Sequence, residues 1–362
     1  MSKIYFKGKL KYRLQSYLTL SKISIEVLIK RIFQRPLNSA WPILFEIGVF
    51  FWRNQFNRAF AFKDIKEGRA YFDSLITTTG ESFPVIAEPI KPNEPVGEWY
   101  KLSEGQSDVH ALYLHGGGYT FRSEVSVNFA KSLTALLGVN LFMPHYRLSP
   151  ENPHPAQLED AVRAYKYMLE KGIEPKRIFF IGDSAGGHLV LMLLQELKKQ
   201  NLPRPFLSIP LCPWTDIGDR GASLFGNDKY DLVQGYMALK FGEWLQGETN
   251  YTREQLSPIC HDYTKLGPIY IQAGGKEVLV DMICEFAQKL KTEGAEVMLD
   301  VWPEMTHNFQ MHGLTHPDSK EAFKRLNEVI KLKANGDKSW QSNQKTKLCN
   351  HKIETDNNFI GV

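Results

Sequence analysis

The segment Arg177-Ile-Phe-Phe-Ile-Gly182-Asp-Ser184-Ala-Gly186 constrains the fold more than any other stretch of this chain. An apolar run of strand character enters a glycine-flanked serine and continues at once as a helical pattern over 185–199. A strand-to-helix turn this tight leaves no room for Cβ atoms beside the serine, which it holds in a strained conformation with its hydroxyl outward. With 27 glycines in 362 residues, the G-x-S-x-G spacing arises by chance about 0.1 times per chain, so its surroundings must carry the inference.

Those surroundings alternate strand and helix. Short β-type runs fall at 83–88, 98–102, 109–114 and 139–144, then at 177–181, 206–209, 269–273 and 296–301; helical patterns cover 185–199, 278–293 and 318–331. Near-continuous apolar strands between helices predict an α/β fold with a mainly parallel central sheet covered on both faces. Ligands then bind beyond the carboxyl ends of the strands. Residues 1–75 read as mostly helical, with eight Trp and Phe side chains between Trp41 and Phe62. Core packing is the simpler account of these aromatics, and an apolar acyl or aryl pocket the other. The span 213–256 breaks the rhythm as an insertion. Residues 334–362 are too polar to offset the entropy of ordering and are expected to be a disordered tail. The α/β domain is thus expected over 76–333.

Charge and cysteine content narrow the function classes. The 44 basic and 40 acidic residues give +4, but residues 1–35 alone hold nine Lys or Arg and one acid, leaving −4 for the rest. The body is not basic, which excludes a nucleic-acid footprint. Cys212, Cys260, Cys284 and Cys349 form neither a C-x-x-C pair nor a zinc-spaced cluster, so reduced thiols in a cytoplasmic setting and no structural metal are expected. The longest apolar stretch, 41–52, would cover only about 18 Å as a helix, short of the ~30 Å of a bilayer core. A secretory signal is not expected, and an excess of Lys over Arg weakens a transit peptide. The basic 1–35 segment is expected to be a solvated arm, with peripheral contact at an anionic membrane surface as the alternative.

A second glycine-rich turn follows the strand at 109–114: His115-Gly116-Gly117-Gly118-Tyr119. Its chance occurrence is on the order of 0.004 per chain. Acyl transfer passes through a tetrahedral oxyanion, and glycines let main-chain N–H groups approach that oxygen unobstructed. Gly116 and Gly117, with Ala185 after the serine, are the expected oxyanion donors. His115 is expected to order the loop and move no proton. A serine needs a base and an orienting acid, here in the order Ser…acid…His on loops after later strands. His307, after the run at 296–301, is the expected base, with His312 and His316 as alternatives; His188 points away along its helix and packs. The acid follows the run at 269–273. Glu277 in the loop is favoured, and Asp281, about one turn into the helix, remains the alternative.

Together HGGGY (115–119), YRLSPENPHPAQLEDA (146–161), GDSAGG (182–187) and the Met305-Thr-His307-Asn-Phe309 context resemble the hormone-sensitive-lipase family of α/β hydrolases over roughly residues 80–331. The resemblance implies an α/β-hydrolase fold, a Ser184–His307–Glu277 triad, no cofactor and small-molecule esters of short-to-medium acyl length as substrates. It also implies a helical cap built from residues 1–75 and 213–256, with Asp160 a structural partner of the Tyr146–Arg147 turn and Asp183 of the serine turn. Tyr119 and Trp214 are the expected substrate contacts, and a homodimer is among the expected assemblies. Two departures stand out: the family's D-P-L-x-D acid segment is here Glu277-Val-Leu-Val-Asp281, and Glu304 replaces a common glycine before the histidine. Lactone or amide hydrolysis, acyl transfer, and a lipid-binding protein on this scaffold are the rival readings.

Overall fold

The computed structural model describes residues 3–78, 83–91, 94–105 and 107–337. Eight strands form one sheet: β3 (Val85–Pro89), β4 (Gly97–Leu102), β5 (His110–Leu114), β6 (Asn140–Pro144), β7 (Ile178–Asp183), β8 (Leu207–Leu211), β9 (Ile269–Gly274) and β10 (Val297–Trp302), in the order β10-β9-β8-β7-β5-β6-β4-β3. From β6 through β5, β7, β8 and β9 to β10 the neighbours are parallel; β4 and β3 add an antiparallel edge. Every strand read from the sequence is present, its ends shifted by three residues or fewer.

Eleven helices are described: α1 (Leu10–Phe33), α2 (Ile43–Phe60), α3 (Ile65–Phe72), α4 (Glu124–Leu137), α5 (Ala156–Glu170), α6 (Ala185–Lys199), α7 (Ser223–Gly226), α8 (Gly235–Gln246), α9 (Arg253–Leu256), α10 (Val280–Thr292) and α11 (Pro317–Ala334). Alternate residues of the central strands feed opposite cores, as the pleat requires. Ile178 and Phe180 of β7 join α5 and α6 on one face; Phe179 and Ile181 join α4 and α11 on the other. After β5 the chain adds β6 on one side and then returns to place β7 on the other. The crevice at the carboxyl ends of β5 and β7 is therefore the switch point at which an open α/β sheet binds its ligand.

The N-terminal segment departs from two expectations. A short antiparallel pair, β1 (Lys3–Phe6) with β2 (Leu75–Thr78), brackets its three helices, where only helix was expected. Nor is 1–35 a solvated arm: Tyr12, Ser16, Ile23 and Val27 are buried at helical spacing, because α1 packs one stripe against α2. The opposite side of α2 meets the 213–256 insertion, where Phe60 packs on Phe241 and Trp244 of α8 at ring separations of 5.0 and 5.3 Å. Arg53 and Asn57 tie the same two parts by hydrogen bonds to the Asp231 carbonyl and the Gln234 side chain.

Cys284 is disulfide-bonded, which corrects the expectation of four reduced thiols, since spacing along the chain says nothing of pairing in space; Cys212 and Cys260 are free. Of the expected tail, Ala334 belongs to α11, and 338–362 lie outside the described residues. No described helix is long and apolar enough to cross a membrane.

Candidate active site

Ser184 occupies the turn between β7 and α6 with φ 54° and ψ −120°, a strained conformation for a residue with a Cβ. The backbone locks it there: its N–H donates to the Leu211 carbonyl at 2.9 Å, and its carbonyl accepts from His188 N–H at 3.0 Å. Neighbouring glycines allow the crossing, since a Cβ at Gly186 would stand 1.9 Å from the Leu114 carbonyl oxygen. Ser184 is half-buried and lines a narrow pocket together with Gly117, Gly118, Ala185, Trp214 and His307. Phe56 of α2 and Phe241 of α8 form its upper, apolar wall.

The imidazole of His307 is buried, and its Nδ1 lies 2.6 Å from Glu277 Oε2. Glu277 is fully buried, and its Oε1 accepts from Gly274 N–H at 2.9 Å, so both carboxylate oxygens are engaged. A carboxylate at Nδ1 fixes the proton on that nitrogen and leaves Nε2 as the basic one. Burial pushes the His307 pKa down, but the Glu277 hydrogen bond and the charges of Glu277, Asp231 and Asp183 outweigh it, and the net direction is up. Asp281, the alternative acid, is elsewhere: its carboxylate accepts from Ser223 N–H at 2.8 Å and joins the insertion to α10. His312 and His316 pack on Phe45.

Asp183 connects the three loops. It is buried, accepts from Tyr113 OH at 2.7 Å and Gly116 N–H at 3.0 Å through Oδ1, and from the Asn308 amide at 2.9 Å through Oδ2. One carboxylate thus fastens the serine turn to the triple-glycine loop and to the residue after His307. Gly116 is therefore corrected as an oxyanion donor, because its N–H is committed to Asp183. Gly117 and Gly118 face the pocket instead, and Gly117 must be glycine: its φ is +101°, and a Cβ would stand 2.1 Å from the Phe121 carbonyl oxygen.

Tyr119 is also corrected. Its hydroxyl is buried against His188 Nδ1 at 2.6 Å and does not line the pocket, whereas Trp214 does. His188 Nε2 must donate to the Leu256 carbonyl, 2.7 Å away, so Nδ1 accepts from Tyr119; burial pushes its pKa down to about 3. His115 bonds the Gly116 carbonyl through Nδ1 and stacks on Tyr146, with burial again lowering its pKa to about 3. Both are neutral fixtures, as expected. Asp160 holds the Arg147 N–H and guanidinium at 2.8 and 2.9 Å.

Sequence reasoning missed Asp231. This fully buried carboxylate of the insertion accepts from His307 N–H at 3.1 Å, Leu232 N–H at 2.7 Å and Val278 N–H at 2.8 Å. It grips the loops carrying both His307 and Glu277, and desolvation raises its pKa to about 6. Its only signal was as one of four Asp in a span of weak helical periodicity, 76 residues from His307. A metal is poorly served here. Cys212, Glu277 and His307 bring ligand atoms within 4.8 Å of one another, but burial keeps the thiol protonated and Nδ1 is committed to Glu277.

The parallel sheet, its switch-point crevice and the strand–serine–helix turn define an α/β hydrolase. Residues 111–311 match the family model described as alpha/beta hydrolase fold. The chain belongs to that family, in its hormone-sensitive-lipase-like branch. It is similar to an acetyl-hydrolase of Streptomyces hygroscopicus, 33% identical over 62% of this chain and 76% of the relative. An ethyl acetate hydrolase of Pseudomonas putida is 28% identical over 71% and 80%. Among solved structures, an esterase of the bacterial hormone-sensitive lipase family superposes with a TM-score of 0.71 and 29% identity, covering 78% of this chain and 97% of that one.

Proposed function

We propose that this protein is a serine hydrolase of short-chain carboxylic esters. Ser184 Oγ attacks the ester carbonyl while His307 Nε2 takes its proton; Glu277 holds the imidazole in the required tautomer and stabilises the cation that forms. The N–H groups of Gly117, Gly118 and Ala185 receive the oxyanion, and each such donor is worth ~3 kcal/mol in the transition state. Collapse expels the alcohol, which takes the proton from His307, and a water repeats the sequence on the acyl-serine.

The observation that carries this reading is the 2.6 Å His307–Glu277 contact at the wall of the pocket that Ser184 lines. That pocket holds only ≈ 50 Å³, which suits a small acyl group. The acetyl-hydrolase and ethyl acetate hydrolase relatives point the same way. Helices α1–α3 and the 213–256 insertion act as the cap, with Phe56 and Phe241 closing the acyl side. The test is a panel of 4-nitrophenyl esters from acetate to decanoate with wild type and Ser184→Ala. Turnover should be highest for the short acyl groups and absent in the variant. Equal turnover by the variant, or a preference for decanoate, would contradict the proposal.

A further inference from the structure

We propose that α1 docks the protein on an anionic phospholipid bilayer surface, lying flat in the headgroup region. Of the 19 exposed large hydrophobic side chains among the described residues, 13 lie within residues 4–44. On α1 they form one stripe. At about 100° per residue, Leu14, Leu18, Ile25, Ile29, Ile32 and Phe33 fall within about 100° of arc, and Leu10, Tyr17 and Leu28 widen it to about 160°. The buried positions Tyr12, Ser16, Ile23 and Val27 lie within about 60° on the other side, against α2. The outward stripe is far from marginal, since Leu18, Ile32 and Phe33 are 64%, 71% and 79% exposed. Leu44, beside it at the start of α2, is 78% exposed. A helix does not present such a stripe to water without cost, and a stripe this long on one side of a domain marks an interaction site.

Charge selects the occupant. Residues 1–35 carry +8 on a chain whose remainder is −4. Lys7, Lys9 and Arg31 are paired with Glu124, Glu67 and Glu46, and Lys22 lies near Glu26. Among the described residues Lys11, Arg13, Lys30 and Arg35 have no carboxylate partner, and all four are exposed. An apolar stripe that holds Lys11 and is flanked by Arg13 and Lys30, none of them with a carboxylate partner, is the pattern that lies in the plane of an anionic interface. A second copy of this chain would bring its own excess of positive charge to the same stripe, which disfavours self-association there. The 24-residue helix is about 36 Å long and cannot span the bilayer while one side is packed on α2. It therefore lies along it.

The full-length chain is sedimented with vesicles of phosphatidylcholine alone and of phosphatidylcholine with phosphatidylglycerol. Two variants accompany it: Leu18→Gln/Ile29→Gln/Ile32→Gln, which keeps charge and helix propensity, and Lys11→Gln/Lys30→Gln. Wild type should pellet with the anionic vesicles and be released by salt, and each variant should bind about tenfold less or weaker. Hydrolysis of a water-soluble acetate ester should stay at the wild-type rate, which separates this surface from the reaction. Wild type left in the supernatant, or a triple variant that binds as well as wild type, overturns the proposal. A vesicle-independent dimer that the triple variant loses would assign the stripe to a second copy and overturn it equally.

Discussion

His307 sits between two buried carboxylates with different tasks: Glu277 meets its ring at 2.6 Å, and Asp231 meets its backbone N–H at 3.1 Å. Because the net pKa of His307 is raised above 6.5, kcat/KM should climb with pH through a midpoint above 6.5, measurable from pH 5 to 9 on a soluble acetate ester. A midpoint below 6.5 would contradict the electrostatics. Glu277→Gln should lower kcat on the order of 10³-fold and move the residual midpoint down, since it removes both the hydrogen bond and the charge. Asp231→Asn leaves Glu277 in place but turns one acceptor into an amide NH₂, so the N–H of Val278 or of His307 loses its partner at a cost of about 1–3 kcal/mol. As a positioning residue it should shift the pH midpoint downward as well as lower kcat; a lower melting temperature with an unmoved midpoint would mark it as structural only. At this scale Ser184, His307 and Glu277 were legible because each follows an apolar strand. The direction of an N–H in a triple-glycine turn was not, which is why Gly116 was expected where Gly118 faces the pocket.

The loop that carries His307 is held from outside the α/β domain. Trp41 Nε1 donates to the Glu304 carbonyl at 2.6 Å, and the Asn38 amide meets the Glu304 carboxylate at 2.6 Å. Glu304 thus ties the α1–α2 connection to the histidine loop. Arg31 extends the tie, binding the Trp41 carbonyl at 2.7 Å and buried Glu46. Trp41→Phe keeps most of the buried ring and removes one hydrogen bond, so it should cost about 1 kcal/mol by urea unfolding and lower kcat more than it raises KM. Unchanged kcat would show that the loop keeps its geometry without the tie. Strand positions were legible because buried parallel strands are apolar runs bounded by turns. The β1–β2 pair was not, being four residues a side with Lys3 and two threonines in it. The contacts between α2 and the insertion join residues about 180 apart in sequence, beyond what periodicity reports.

Across the whole molecule, burial sets the pH response of stability. His115 and His188 are pushed down to about 3, and His154 and His312 to about 4, each by desolvation. Unfolding lets these four bind protons below 6.5, so the stability they contribute is present above 6.5 and is lost as pH falls toward 3–4. Asp73 and Asp231, raised by burial to about 6, act in the opposite sense between 3.8 and 6. Raised Asp183, Asp228 and His307 join the second set, and lowered His110, His145, His261 and His316 join the first, so eight groups against five give a net loss on acidification, at about 1.4 kcal/mol per pH unit for each uncompensated group. The urea midpoint should therefore be lower at pH 5 than at pH 7; a higher one would mean that the histidines are not held neutral. The same burial makes the chemistry local, since among the described residues that line the pocket beside Ser184 His307 is the one titratable group. The most direct test of that claim is the site of covalent labelling by a fluorophosphonate, located by peptide mass mapping on the full chain. The account predicts one label per chain, on Ser184, with none on the Ser184→Ala variant. A label on another serine, or labelling that survives the substitution, would contradict it.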